Sequence, residues 1–191
     1  VALTRKTAAE LGSVKADAAL KAVKEPMGAW NWCLFNPDYS FVNAGSLSVP
    51  EMVKWLAPDQ FYFGILRLGF GSGRFRRTKW IFLAWSGAGV GMVKRARAAG
   101  ERGAMKGRLG PVSVDIEATV AEDVTLTAII DKVRRAAVVD GDDVHAAEDP
   151  FSVDKFMEAL AEEAAASASF FGDKGLQLTG GAGAKSAATL L

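Results

Sequence analysis

The sequence predicts an α/β domain built in layers, with a helical extension at its C-terminal end. Three observations predict it. Helical and strand periodicities follow one another as helix, hairpin, helix, hairpin, basic helix, strand, helix, the order of a layered α/β unit. Two apolar runs, 60–70 and 78–85, read as strands, and the second is apolar enough to be covered on both faces. After about residue 140 the composition turns acidic and then glycine-rich. We therefore place a domain at residues 1–140 and an acidic linker, a helix and a flexible tail at 141–191, an appendage to the domain.

The elements follow in order. Residues 5–24 suit an amphipathic helix, with Leu11, Val14, Ala18 and Val23 near helical spacing, ended by Glu25-Pro26. The aromatic stretch 29–35 predicts a strand with Trp30, Trp32 and Leu34 on one face. "NPDYS" turns the chain into a returning strand at 41–45. Ser48 and Pro50 precede a short helix at 51–57. The strand 60–70 meets 78–85 through "GSGRFRR", a glycine-rich basic hairpin loop. "SGAG" is a turn, and residues 90–100 begin a basic helix. Alternation over 111–121 predicts a half-buried strand. Residues 123–138 form a helix with Val124, Leu126, Ile129, Ile130 and Val133 available for burial. In the extension, 150–171 is helical, with Phe151, Phe156, Met157 and Leu160 as its apolar stripe.

Composition removes several function classes. Half of the 191 residues are hydrophobic, enough for a real core, yet no apolar run approaches the roughly 18 residues of a membrane span. One cysteine, Cys33, excludes an internal disulfide and a cysteine-built zinc site. One histidine, His145, gives little material for a histidine metal site or a catalytic triad, and its place between acids predicts a solvated residue. "GFGSG" lacks the lysine and hydroxyl residue of a phosphate loop, and Asp140, Asp142 and Asp143 lack the calcium-loop pattern. Trp30, Trp32, Trp80, Trp85 and Cys33 read as core. No cofactor and no enzymatic chemistry are expected.

Charge is the informative feature. The net formal charge is +1, but residues 74–108 hold ten basic residues against one acid, Glu101, while residues 140–163 hold nine acids against Lys155. Such a basic segment is either solvated surface or the face of an anionic partner. RNA is disfavoured as that partner, since Phe75 alone stands beside the cations of the hairpin loop as a stacking ring.

The words of the central segment narrow the choice. Arg77-Thr78-Lys79-Trp80 enters the second long strand, Trp85 ends it, Gly87 to Val90 turn, and Arg95-Ala96-Arg97 opens the next helix. With Trp32 and Phe35 in a tryptophan-x-x-phenylalanine spacing near the start, this resembles the actin-depolymerising-factor homology (ADF-H) domain, most closely its coactosin-like branch, over about residues 5–137. The resemblance implies a central mixed sheet flanked by helices on both faces. It implies a core containing Trp32, Phe63, Ile65, Ile81, Leu83 and Ile129. It also implies a non-catalytic actin-binding module whose basic ridge meets the side of the filament. Lys79, with Arg77, takes the family's filament-contact position. Lys94, Arg95 and Arg97 fall in the next contact segment, and Arg102, Lys106 and Arg108 where the contact helix continues. Gly100, Gly103, Gly107 and Gly110 interrupt that helix, and Pro111 stops it.

The expected partner is F-actin or another acidic protein surface, in the cytoplasmic cytoskeleton. The alternative is a subunit of the same fold in a larger, organellar assembly, reached through the extension after removal of a targeting peptide. The apolar stripe at 151–171 motivates that alternative, because a free helix of this composition leaves the stripe wet.

Overall fold

The structure is a computed structural model and describes residues 16–139 and 149–170. The expected helical residues 5–15 with Leu11 and Val14, the linker residues 140–148 with His145, and the tail from Phe171 lie outside the described residues. The elements run α1 (Ala16–Lys24), β1 (Trp32–Phe35), β2 (Phe41–Gly45), α2 (Ser48–Met52), β3 (Phe61–Phe70), β4 (Arg77–Ser86), α3 (Met92–Gly100), α4 (Arg102–Leu109), β5 (Val114–Ala118), α5 (Leu126–Val139) and α6 (Val153–Phe170).

The five strands form one mixed sheet in the order β2-β1-β3-β4-β5. β1 pairs antiparallel with β2 and β3, β3 antiparallel with β4 over its full ten residues, and β4 parallel with β5. The parallel step needs a crossover, and α3 and α4 supply it. β3 is buried at every position, which explains its unbroken apolar run.

Side-chain alternation divides the sheet into two apolar layers. Trp32, Leu34, Leu66, Leu68, Ile81, Leu83 and Ile116 pack with Val49 and Met52 of α2, Ile129 and Val133 of α5, and Phe156 of α6. Cys33, Phe35, Phe63, Ile65 and Phe82 pack on the other face with Ala19 and Val23 of α1, Ala98 of α3, and Met105 and Leu109 of α4. All six residues expected in the core are buried. This is the α+β architecture with helices on both faces that the resemblance implied.

Three details differ from the sequence reading, and a fourth, the broken basic helix, agrees with it. β1 begins at Trp32, so strand alternation does not reach back to Trp30, which joins the opposite layer. In α1 the buried positions are Ala19 and Val23, four apart, while Ala18 is exposed. Helix α2 starts at Ser48 and tightens into a 3-10 turn at Val53–Trp55. The Glu51 carboxylate reaches back to accept the Leu47 N–H at 2.9 Å, so an acid rather than a serine caps this helix. The glycine-interrupted helix breaks at Glu101 into α3 and α4 and ends at Gly110, before Pro111.

The extension is packed against the sheet. β1 pairs with β3 only from Phe63 to Leu66, so β3 outruns it by four residues. The Phe70 side chain, on one face of β3, meets the rings of Phe151 and Phe156 at 5.2 and 6.3 Å. From the other face Arg67 meets Glu163. Contacts from both faces of one strand place α6 along the strand's edge. Gly69 makes the approach possible: a Cβ there would lie 3.0 Å from the Ala159 Cβ and closer still to the Arg76 guanidinium. Phe151 and Phe156 are buried and Leu160 is partly so, whereas Met157 points outward at 38% exposure.

Candidate functional site

The predicted cations fall into two groups on opposite faces of the sheet. Arg77 and Lys79 open β4 in phase with Ile81 and Leu83, so they belong to the layer of α5 and α6. Arg77 is exposed and Lys79 half-buried. Both cations lie over the face of the Phe151 ring, the guanidinium 5.6 Å and the ammonium 5.3 Å from its centroid. The hairpin tip beyond them presents Phe75, 74% exposed, with Arg74 stacked on it at 4.8 Å.

The second group follows the crossover. Lys94, Arg95 and Arg97 are exposed on α3, whose buried side is the single residue Ala98. The Lys94 ammonium donates to the Gln60 side chain at 2.7 Å, and Arg95 approaches the carbonyls of Gly87 and Val90. On α4, Arg102 and Lys106 each bond Asp115 of β5 at 2.7 Å, and Arg102 also pairs with Glu117. Their charge is thus partly answered within the molecule, and the two charged ends lie over the Phe82 ring, 5.8 and 5.7 Å from its centroid. Arg108 lies over the Tyr39 ring at 4.8 Å. Burial and the neighbouring Asp17 push the Tyr39 hydroxyl well above its ordinary pKa, so that ring stays neutral beneath the cation.

Two arginines, Arg67 ahead of the basic segment and Arg76 within it, have a structural task. The Arg67 side chain is fully buried. It donates to the Val23 carbonyl at 3.0 Å, to Glu25, to the Gly28 carbonyl at 2.8 Å, and to both oxygens of Glu163 at 3.1 and 3.3 Å. One guanidinium therefore donates to a carbonyl in the last turn of α1, to two carbonyls just beyond that helix and to a carboxylate of α6. Arg76 bonds the Ala159 carbonyl and Glu162, each at 3.1 Å, and also pairs with Glu163. With 8% of its side chain exposed, Arg76 is withdrawn from any outside partner. An arginine inside the run "FYFGILRLGF" was the available signal for this network, since a buried charge demands a counter-charge. The sequence reading also passed over Met92 and Val93, 86% and 85% exposed in the first turn of α3 beside Lys94 and Arg95.

The remaining chemistry is sparse. A cleft of about 310 Å³ lies between α3 and the ends of β4 and β5, lined by Arg95, Arg102, Glu117 and Asp123 among others. Its arginines and acids are of the kind that pair with one another, as Arg102 and Glu117 do. Among the described residues no three His, Cys, Asp or Glu side chains gather at a metal-sized site. No helix among them is long and apolar enough to cross a membrane. Cys33 is fully buried, and burial pushes its thiol well above the ordinary range, so it serves as a small hydrophobe. Trp85 is buried and gives its indole N–H to the Ala57 carbonyl at 2.8 Å, as a core tryptophan does.

Comparison with known proteins agrees with this architecture. The family model described as cofilin/tropomyosin-type actin-binding protein matches residues 9–134. Coactosin of Dictyostelium discoideum is 26% identical over 137 residues, which cover 69% of this chain and 94% of that protein. The crystal structure of coactosin from Entamoeba histolytica superposes with a TM-score of 0.58 at 19% identity, covering 65% of this chain and 95% of the other. The solution structure of mouse coactosin, described as an actin filament binding protein, gives 0.53 at 18% identity, covering 67% and 93%. The family match ends before α6.

Proposed function

Because the chain belongs to the cofilin/tropomyosin-type actin-binding family, we propose that it binds the side of actin filaments through its two basic groups. The family is one of actin-binding rather than catalytic proteins, and it associates the chain with the cytoplasmic cytoskeleton. One observation carries the finer reading. Lys79 and Arg77, at the position where the resemblance sets the filament contact, stand at the open end of β4 with Arg74 and Phe75 beyond them. A filament's acidic surface attracts such a cluster, and steering by charge raises encounter rate and fixes orientation. Lys94, Arg95 and Arg97, beside exposed Met92 and Val93, supply a second contact of mixed apolar and basic character.

The alternative of a subunit in a larger assembly drew on the wet stripe of residues 151–171. Phe151 and Phe156 are covered by the chain's own sheet, so those two rings no longer call for a second protein.

Co-sedimentation with actin filaments tests the proposal. Lys79→Ala is expected to weaken binding about fivefold, the worth of roughly 1 kcal/mol for a solvent-facing charge. Lys21→Ala, on the exposed side of α1, is expected to leave it unchanged. Affinity should fall as salt rises, since charges are screened beyond about 8 Å at physiological ionic strength. Equal effects of the two substitutions without salt dependence would sink the reading.

A further inference from the structure

The hairpin between β3 and β4 is held from outside itself. Gly71 and Gly73 carry φ of 74° and 53°, and the tip between the strands closes through a single 3-10 turn, Gly73–Phe75. A loop of that make-up has many conformations to choose from. α6 removes the choice residue by residue. The Gly71 N–H donates to the Lys155 carbonyl at 2.8 Å. The Ser72 hydroxyl donates to Glu158. The Gly73 N–H donates to Glu162 at 3.1 Å. Arg76 is clamped by Glu162 and Glu163, and Phe151, just ahead of α6, lies beneath Arg77 and Lys79. Every residue from 71 to 73, and the cations at 76, 77 and 79, therefore touches residues 151–163.

We propose that α6 is a brace: it sets the conformation of the hairpin end and so orients Arg77 and Lys79 toward their acidic partner. Glu158 and Glu162 are its positioning residues, since they hold the loop through the Ser72 hydroxyl, the Gly73 N–H and Arg76. α6 lies beyond residues 9–134, so the brace is an addition to the matched domain. Ordering a contact loop before binding removes an entropic cost from the association. The consequence for filaments rests on the reading above; the restraint of the loop does not.

The test uses the full chain and the double variant Glu158→Ala/Glu162→Ala. Both positions face solvent at least in part, and alanine keeps the helix. Amide exchange at Gly71 and Gly73 is expected to quicken about tenfold or more, while Ile81 and Leu83 in the sheet keep their protection. In filament co-sedimentation the variant is expected to bind about threefold more weakly. That sign separates the brace from simple masking, because deleting two acids beside the cations would strengthen attraction to an acidic filament if the acids merely covered them. Unchanged exchange at Gly71 and Gly73 overturns the brace. Quickened exchange with equal or tighter filament binding overturns its role in binding. If the unaltered chain fails to sediment with filaments, the actin reading falls, and exchange at the two glycines still decides whether α6 holds the loop.

Discussion

α4 and α6 are both joined to a strand by ion pairs, and the two junctions differ in what they are worth. α4 lends Arg102 and Lys106 to Asp115, with 31–40% of each side chain exposed. α6 lends Glu163 to Arg67, with 8% and 0% exposed. In the open junction water competes for both partners, and an exposed pair contributes about 0–1 kcal/mol. In the closed junction the desolvation of both charges offsets much of their attraction, so the intact pair is not a large source of stability. Removing one member is another matter, because the other is left charged in a dry place. The comparison teaches that burial fixes the penalty for breaking a pair far more than the reward for forming it.

The sharpest way to break this comparison is Glu163→Ala. It strands Arg67 and takes a partner from Arg76, and a loss of about 3–5 kcal/mol is expected in urea denaturation. A loss under about 1 kcal/mol would mean that the carbonyls of Val23, Glu25 and Gly28 satisfy Arg67 unaided. A second variant sharpens the α4 side. Among the described residues nothing lies within 4 Å of a Cβ placed at Gly107. Gly107→Ala is expected to raise stability by up to about 1 kcal/mol through helix propensity alone, read as a higher melting temperature. The smallest effect belongs to Asp115→Asn, expected to cost at most about 1 kcal/mol and to shrink further in high salt. A larger cost would show that the α4 junction behaves as a buried one.

The same contrast explains what the sequence disclosed. Runs such as 60–70 and 78–85 announce strands because burial on both faces needs only apolar residues in sequence, and Phe63, Ile65, Ile81 and Leu83 are indeed core. The break between α3 and α4 was legible because glycine weakens a helix locally. The division of the basic residues between two sheet faces was not. Lys79 and Lys94 are fifteen residues apart in the chain, and only the strand register reveals that Lys79 shares its layer with Phe151 while Lys94 follows a crossover to the other side. The docking of α6 was hidden for a related reason. Glu163 and Arg67 are separated by 96 residues, and an alanine-rich acidic helix after a change of composition looks the same whether it is docked or not. Phe151 and Phe156 marked a surface in need of cover without naming the cover.

The short first strand has one more consequence. Where β1 stops, β3 continues for four residues that pair with β4 on one side and, among the described residues, with no strand on the other, and an open strand edge is a template on which another chain can add itself. In this molecule a helix of the same chain lies there, fastened by Glu163 and by the Lys155 carbonyl. A helix bonds most of its backbone groups internally, so it covers the edge without presenting a strand edge of its own. An edge covered in this way is withdrawn from edge-to-edge pairing with another chain.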